Sequence, residues 1–294
     1  MSQRTLGPFT VSAIGLGAMP VSMNGNGIPS HDDAVATVRA ALDAGVTFVD
    51  TADIYAPSWD QMGHNERIVG DALAGWDGDR SSIVVATKGG ITRTEEKDFG
   101  RNGSLEYLRS AVQKSLKNLQ VDVIDLYQYH RPDRWMVYGE VMQNLKTLQD
   151  EGLVRTLGIS NASVEEIQIA QEVLGEGNLT SVQNEFSPRH PGSYGELTYC
   201  VEHGIAFLPW SPLGGIGGAG SIGERFAAFA EIGADHGVSP QQVVLAWELS
   251  LGETVIPIPG ASRSASITDS AKARDLVLST DELARCSAAV GIEV

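Results

Sequence analysis

The chain has 294 residues, of which 42% are hydrophobic and 20% charged, and it carries a formal net charge of −16. That charge repels phosphate backbones and anionic membrane surfaces, and no apolar run approaches a bilayer span, so nucleic-acid and membrane partners are not expected. The two cysteines, Cys200 and Cys286, sit in no ligand or disulfide spacing, so no metal site is expected either.

The N-terminal stretch from Met1 to Thr5 has no apolar core of a signal peptide, which points to the cytoplasm. Residues 6–11 read as a short hairpin ahead of the first main strand. Strand-like apolar runs then follow at 13–17, 47–50, 83–87, 124–129, 156–160, 181–184, 205–209 and 255–258. Amphipathic helical patterns lie between them. Residues 32–44 are capped by Ser30 or by His31-Asp32, residues 105–119 follow the N-cap Ser104, and 137–151 continue the series. Ser163 with Glu166 makes a capping box for the helix that runs to 174. Gly45, Gly152 and Gly204 stand where a helix ends in a left-handed residue.

About eight βα alternations predict an α/β fold, a closed (β/α)8 TIM barrel plugged by the N-terminal hairpin. No linker or composition shift divides the chain, so residues 1–294 read as one domain. Two segments exceed ordinary loop length: the polar 89–103, and 213–223 with its glycine-rich core at 214–220. The second is a candidate flap over a ligand.

Three of the runs lead into polar residues at their C-terminal tips, Asp50, Lys88 and His130, with Tyr55 five residues beyond Asp50. In a parallel barrel the strand tips meet on one rim. A phenol is a poor acid near neutrality, with a pKa of about 10, but an adjacent ammonium favours the phenolate. Lys88 can supply that charge, Asp50 can hold Lys88, and His130 can orient a carbonyl oxygen. Together they can protonate an alkoxide formed from an aldehyde or ketone.

Such chemistry needs a hydride donor, which no side chain provides, so a nicotinamide or flavin is implied. The stretch Gly15-Leu16-Gly17-Ala18-Met19-Pro20 is not a dinucleotide fingerprint. Its third glycine is missing and no helix follows; its glycines fit close backbone approach instead. The later strand tips offer better groups: Ser160-Asn161, Gln183 and Trp210-Ser211-Pro212-Leu213. Beyond the last strand, Arg263 at a helix start suits a phosphate. Trp59 and Trp135, in loops after Tyr55 and His130, are expected as pocket walls for a small carbonyl substrate.

These stretches, from Gly45 through Tyr55, Ala86 to Lys88, Asp125 to His130, Gly158 to Asn161 and Trp210 to Leu213, together resemble the aldo-keto reductase superfamily over nearly the whole chain. The loop Tyr55-Ala56-Pro57-Ser58 is similar to pyridoxal reductase-like branches. The resemblance implies an NADPH-dependent oxidoreductase acting on carbonyl groups, with NADH use left open. It makes Asp50, Tyr55, Lys88 and His130 the catalytic tetrad, with Tyr55 the proton donor. It places the cofactor along Gly17, Ala18, Met19 and Asp50, with Ser160, Asn161 and Gln183 at the carboxamide and Trp210 on the nicotinamide. Ser211, Pro212 and Leu213 follow the pyrophosphate, and Gly260, Ser262, Arg263, Asp269 and Ser270 take the adenosine end. The family pattern departs there, with glycine at 260 and serine at 266 in place of basic residues, and Asp269-Ser270 in place of Glu-Asn. Two other readings stand beside it: an alcohol dehydrogenase working oxidatively on pyridoxine or a polyol, and a cofactor-binding regulatory subunit of the channel-β type. A monomer or simple homo-oligomer is expected.

Overall fold

The computed structural model describes residues 2–25, 27–96 and 99–293. Met1 and positions 97 and 98 of the segment 89–103 lie outside the described residues. Strands β1 (Gln3–Leu6) and β2 (Phe9–Ser12) pair antiparallel around Gly7, whose φ of 56° only glycine adopts readily. Leu6 and Val11 of this hairpin pack against Phe48, Val84, Leu126, Ala206 and Ile256 from the barrel strands, so the expected plug is present. A side chain at Gly7 would run into Thr180 at 2.9 Å, so the turn seats against the start of a barrel strand.

The barrel sheet is parallel: β3 (Leu16–Gly17), β4 (Phe48–Asp50), β5 (Val84–Gly89), then β8 (Ile124–Tyr129), β9 (Val154–Ser160), β10 (Leu179–Gln183) and β11 (Ala206–Phe207). Between β5 and β8 the segment expected as a plain loop folds into a second antiparallel pair, β6 (Ile91–Thr92) with β7 (Gly100–Arg101). The eighth strand is irregular. Residues 255–260 bridge Phe207 and Trp210 on one side and Gly17 on the other, which closes the barrel. Ile256 and Ile258 donate to the carbonyls of Phe207 and Pro209. On the β3 side the residues are Pro257 and Pro259, which have no N–H to give and only accept, from Gly15 and Gly17 at 2.9 and 3.0 Å. A ladder therefore cannot form there, and the run appears as bridges. Gly17 approaches so closely that a Cβ would lie 2.7 Å from the Ile258 carbonyl oxygen, the close backbone approach its sequence context predicts.

The helices that cover the sheet are α1 (His31–Asp43), α2 (His64–Ala74), α3 (Leu105–Leu119), α4 (Tyr138–Asp150), α5 (Val164–Leu174), α6 (Tyr194–Glu202), α7 (Ile222–Arg225), α8 (Ala227–His236), α9 (Pro240–Ser250), α10 (Ser264–Ala271) and α11 (Thr280–Val290). Ser30, Ser104 and Ser163 accept from the first turns of α1, α3 and α5, and the Ser163–Glu166 box is complete. Gly45, Gly152 and Gly204 all have φ between 67° and 80°. The outer core runs between the sheet and these helices, with Leu108, Val112, Leu145 and Ile167 among its fully buried members. The architecture is a (β/α)8 barrel. Among the described residues no helix is long and apolar enough to cross a membrane.

Candidate active site

The parallel register sets Asp50 opposite Ala86 and Lys88 opposite Gln128, so polar side chains from adjacent strand tips point into the same barrel mouth. Lys88 is fully buried. Its Nζ donates to Asp50 Oδ1 at 2.5 Å, to the Thr51 carbonyl at 2.9 Å and to the Tyr55 hydroxyl at 3.3 Å. The other Asp50 oxygen accepts from Gln183 at 2.8 Å and Gln128 at 3.1 Å. Three strands thus brace one carboxylate, which in turn braces the ammonium. Gln128 went unnoticed in the sequence because it lies inside an apolar run; a lone amide in such a run was the available signal.

Tyr55 sits on a tight turn. Its N–H donates to Ala52 and its carbonyl accepts from Asn65, while Arg93 Nη1 donates to Ala56 at 2.8 Å and Ile54 at 3.3 Å. The ring meets His130 edge to face at 5.6 Å between centroids. Burial raises the phenol pKa above its ordinary value, and the Asp50 charge adds to this. Lys88 and Arg131 pull it down without overcoming burial. The lowering expected from Lys88 is therefore present as a force but not as the net result: the residue rests as a phenol. For Lys88 burial is again the largest single influence and acts downward, yet Asp50 and Tyr55 together lift the ammonium above its usual range, so it stays charged. Burial, then the charges of Lys88, Arg131 and Arg101, hold His130 well below the ordinary imidazole range. It is a neutral ring whose Nδ1 is buried without a partner.

These residues open onto a cavity of about 780 Å³, within the size range of ligand sites. The cavity runs from Tyr55 and His130 past Ser160, Asn161, Gln183 and Trp210 to Ser262, Arg263, Asp269 and Ser270. Gly17, Met19, Ser211, Pro212, Leu213 and Gly260 also line it. Ala18 does not; it is fully buried and its N–H is given to the Asp50 carbonyl. Ser160 donates to the Gln183 carbonyl, and Asn161 donates to the His130 carbonyl and to Ser160 Oγ. Asn161 and Ser211 hold φ of 58° and 54°, sparsely populated for side-chain-bearing residues, at two points of the cavity wall.

Several placements depart from expectation. Trp135 is 97% exposed and Trp59 43% exposed, and neither borders the cavity. Its wall near Tyr55 is instead made by Ile54, Ile91, Phe99, Arg101 and Arg131, partly from the β6–β7 pair that sequence periodicity did not reveal. Asp269 lines the far end, but its two oxygens already accept from Ser239 and Gln242 at 2.6 Å each. The glycine-rich segment does line the cavity, through Gly215, Ile216, Gly217, Ala219 and Gly220.

Whether a nicotinamide dinucleotide suits these residues can be judged from the wall itself. Gly260 leaves a cradle that a Cβ would fill, at 2.9 Å from Pro20, and the Trp210 indole Nε1 is buried without a partner. Arg263 precedes the N-terminus of α10 and is exposed. An aromatic face with an orphan donor at one end and a cation at a helix start at the other fit a nicotinamide and a phosphate.

The profile of the Aldo/keto reductase family matches residues 13–290. The chain is 36% identical over 272 residues to a 6-dehydroglucose reductase of Novosphingobium aromaticivorans, covering 90% of this chain and 87% of that protein. It is 33% identical over 313 residues to a probable aldo-keto reductase of Glycine max, covering 97% and 87%. Among solved structures, an aldo/keto reductase of Klebsiella pneumoniae in complex with NADP and acetate superposes with a TM-score of 0.82 at 26% identity, over 99% of this chain and 96% of that one. The chain belongs to the aldo/keto reductase family, and with it to the oxidoreductases.

Proposed function

We propose that this enzyme reduces a small aldehyde or ketone to the alcohol, with NADPH as reductant and Tyr55 as proton donor. The observation that carries the reading is the Tyr55 hydroxyl, 3.3 Å from an ammonium that Asp50 holds in place, on a cavity wall facing His130. NADP in the Klebsiella neighbour supports the cofactor, and Arg263 is the residue to hold its extra phosphate. When bound, the reduced nicotinamide supplies the hydride. The chain's own groups do the rest. Neutral His130 gives an N–H to the carbonyl oxygen and orients it. Tyr55, kept protonated by burial, passes its proton to that oxygen, and Lys88 stabilises the phenolate left behind. The same groups run in reverse oxidise an alcohol, so direction is set by the concentrations supplied.

Tyr55→Phe removes the proton and little else. It is expected to lower kcat about 10²- to 10⁴-fold on an aldehyde panel, with dinucleotide binding followed by tryptophan fluorescence unchanged. Full turnover in that variant would overturn the assignment.

A further inference from the structure

We infer that the carbonyl substrate carries an anionic oxygen group, a carboxylate or a phosphate, which Arg101 and Arg131 receive beside the reacting carbonyl. The inference rests on the reductase reading of the site and names its substrate class.

The chain has 37 acidic and 21 basic residues, yet three arginines line its cavity. Arg263 lies beyond the eighth strand, which joins β11 to β3. Arg101 ends the β6–β7 pair that follows β5, and Arg131 follows β8. Strands β5 and β8 sit across the barrel from that closure. One cation thus serves the phosphate end, and two remain at the chemical end. Both of these act on His130, and Arg131 also acts on Tyr55, so they stand within electrostatic reach of both groups that face the carbonyl.

Their own partners are few. Arg101 Nη1 donates to the adjacent Gly100 carbonyl, and the Arg131 guanidinium stands 6.0 Å from the Trp210 ring centroid. Among the described residues neither makes a salt bridge, whereas Arg109, Arg134, Arg155 and Arg285 all do. The groups that act on Arg101 in the opposite sense are Tyr129 and then Asp133, which is buried and whose Oδ1 accepts from the Trp135 N–H. Both arginines are half-buried; burial, and next the Arg131 charge, draws the Arg101 guanidinium below its ordinary value. Two cations lining one cavity in a protein of strong negative charge give that wall a local positive field, and a planar guanidinium matches a carboxylate or phosphate edge in two parallel hydrogen bonds. Phe99 and Ile91 in the same wall accept an apolar or aromatic spacer between that anion and the carbonyl.

The test uses matched compounds and two readouts. Wild type, Arg101→Gln, Arg131→Gln and the double variant, each loaded with NADP, are titrated calorimetrically with 4-carboxybenzyl alcohol, its methyl ester and 4-(hydroxymethyl)phenyl phosphate. The corresponding aldehydes are assayed in parallel with NADPH, with Tyr55→Phe alongside. Expected is at least tenfold tighter binding of an anion than of the ester by wild type. That preference should fall ten- to hundredfold in the arginine variants, with the ester losing far less than either anion. Whichever of carboxylate and phosphate binds better names the source. An ester bound as well as both anions, or equal loss for ester and anions in the variants, overturns the inference. Turnover that survives Tyr55→Phe alongside an intact anion preference would strike the reductase mechanism and leave the anion subsite standing. Tyr55-dependent turnover without that preference would do the reverse.

Discussion

The two ends of the cavity are built differently. At the floor, Asp50 takes three donors from β5, β8 and β10, and Gln183 reaches it from 133 residues away in sequence. At the outer end, Gly214, Gly215 and Gly217 all adopt left-handed φ between 77° and 83°, and Arg263 is exposed. There the glycine-rich segment is tied to α9 by Gln241, whose Nε2 donates to the Ala219 carbonyl at 2.6 Å. Proton chemistry tolerates little displacement, since a donor must lie within hydrogen-bond reach of its acceptor, and here Asp50 and Lys88 are held on strands, with Tyr55 on a tight turn hydrogen-bonded to them through Lys88. The outer end is built instead from loop backbone, where the glycines leave the cavity wall without side chains.

The contrast is tested most severely at the floor. Lys88→Met removes the charge beside the phenol and leaves Asp50 buried without its cation. Turnover should fall by about 10³ or more, and stability by about 3–5 kcal/mol, read from steady-state kinetics and a denaturant titration. A variant with normal melting and near-normal rate would show that the floor is not a unit. At the outer end, Arg263→Ala should raise KM for NADPH about tenfold with kcat and NADH use little changed, the effect of losing one charge-assisted contact.

A pH experiment separates the two ends further. His130 has a folded-state pKa below its unfolded value. Its contribution to stability is therefore whole above the ordinary imidazole pKa of about 6.5 and is lost as pH falls toward the folded value. Wild type should lose more melting temperature between pH 7 and pH 5 than His130→Asn does, by roughly 3 °C for each pKa unit. An equal slope in both proteins would mean the ring is not held neutral. The smallest effect belongs to the glycine-rich segment: Gln241→Ala should weaken NADPH binding by about two- to fivefold, measured by fluorescence quenching, with kcat unchanged.

The same division decides what could be read from sequence. Asp50, Lys88 and His130 were legible because each ends an apolar strand, and burial of that strand leaves its polar tip in only one place, the barrel mouth. Tyr55, five residues beyond Asp50, was read with them through the family resemblance, and the turn from Ala52 brings it to Lys88. Trp59 and Trp135 were not, because a loop aromatic has no periodic neighbour to orient it, and here both turn outward. Arg101 and Phe99 were missed because residues 89–103 look polar and irregular until β6 and β7 pair, a contact no local pattern encodes. The eighth strand was expected as a regular run; Pro257 and Pro259 limit it to bridges by removing donors from one edge.

Those two prolines have a consequence for life outside the native state. A barrel that comes apart exposes two fresh sheet edges, and exposed edges recruit other chains. At the join between β3 and residues 255–260, Pro257 and Pro259 offer carbonyls but no donors. A stray strand arriving at that edge finds half its hydrogen bonds unavailable and its approach obstructed by pyrrolidine rings. Gly15 and Gly17, already close against the partner backbone, fill the seam only with their own chain. The edge of residues 255–260 that would be bared by parting this join is thus poorly suited to template a polymer.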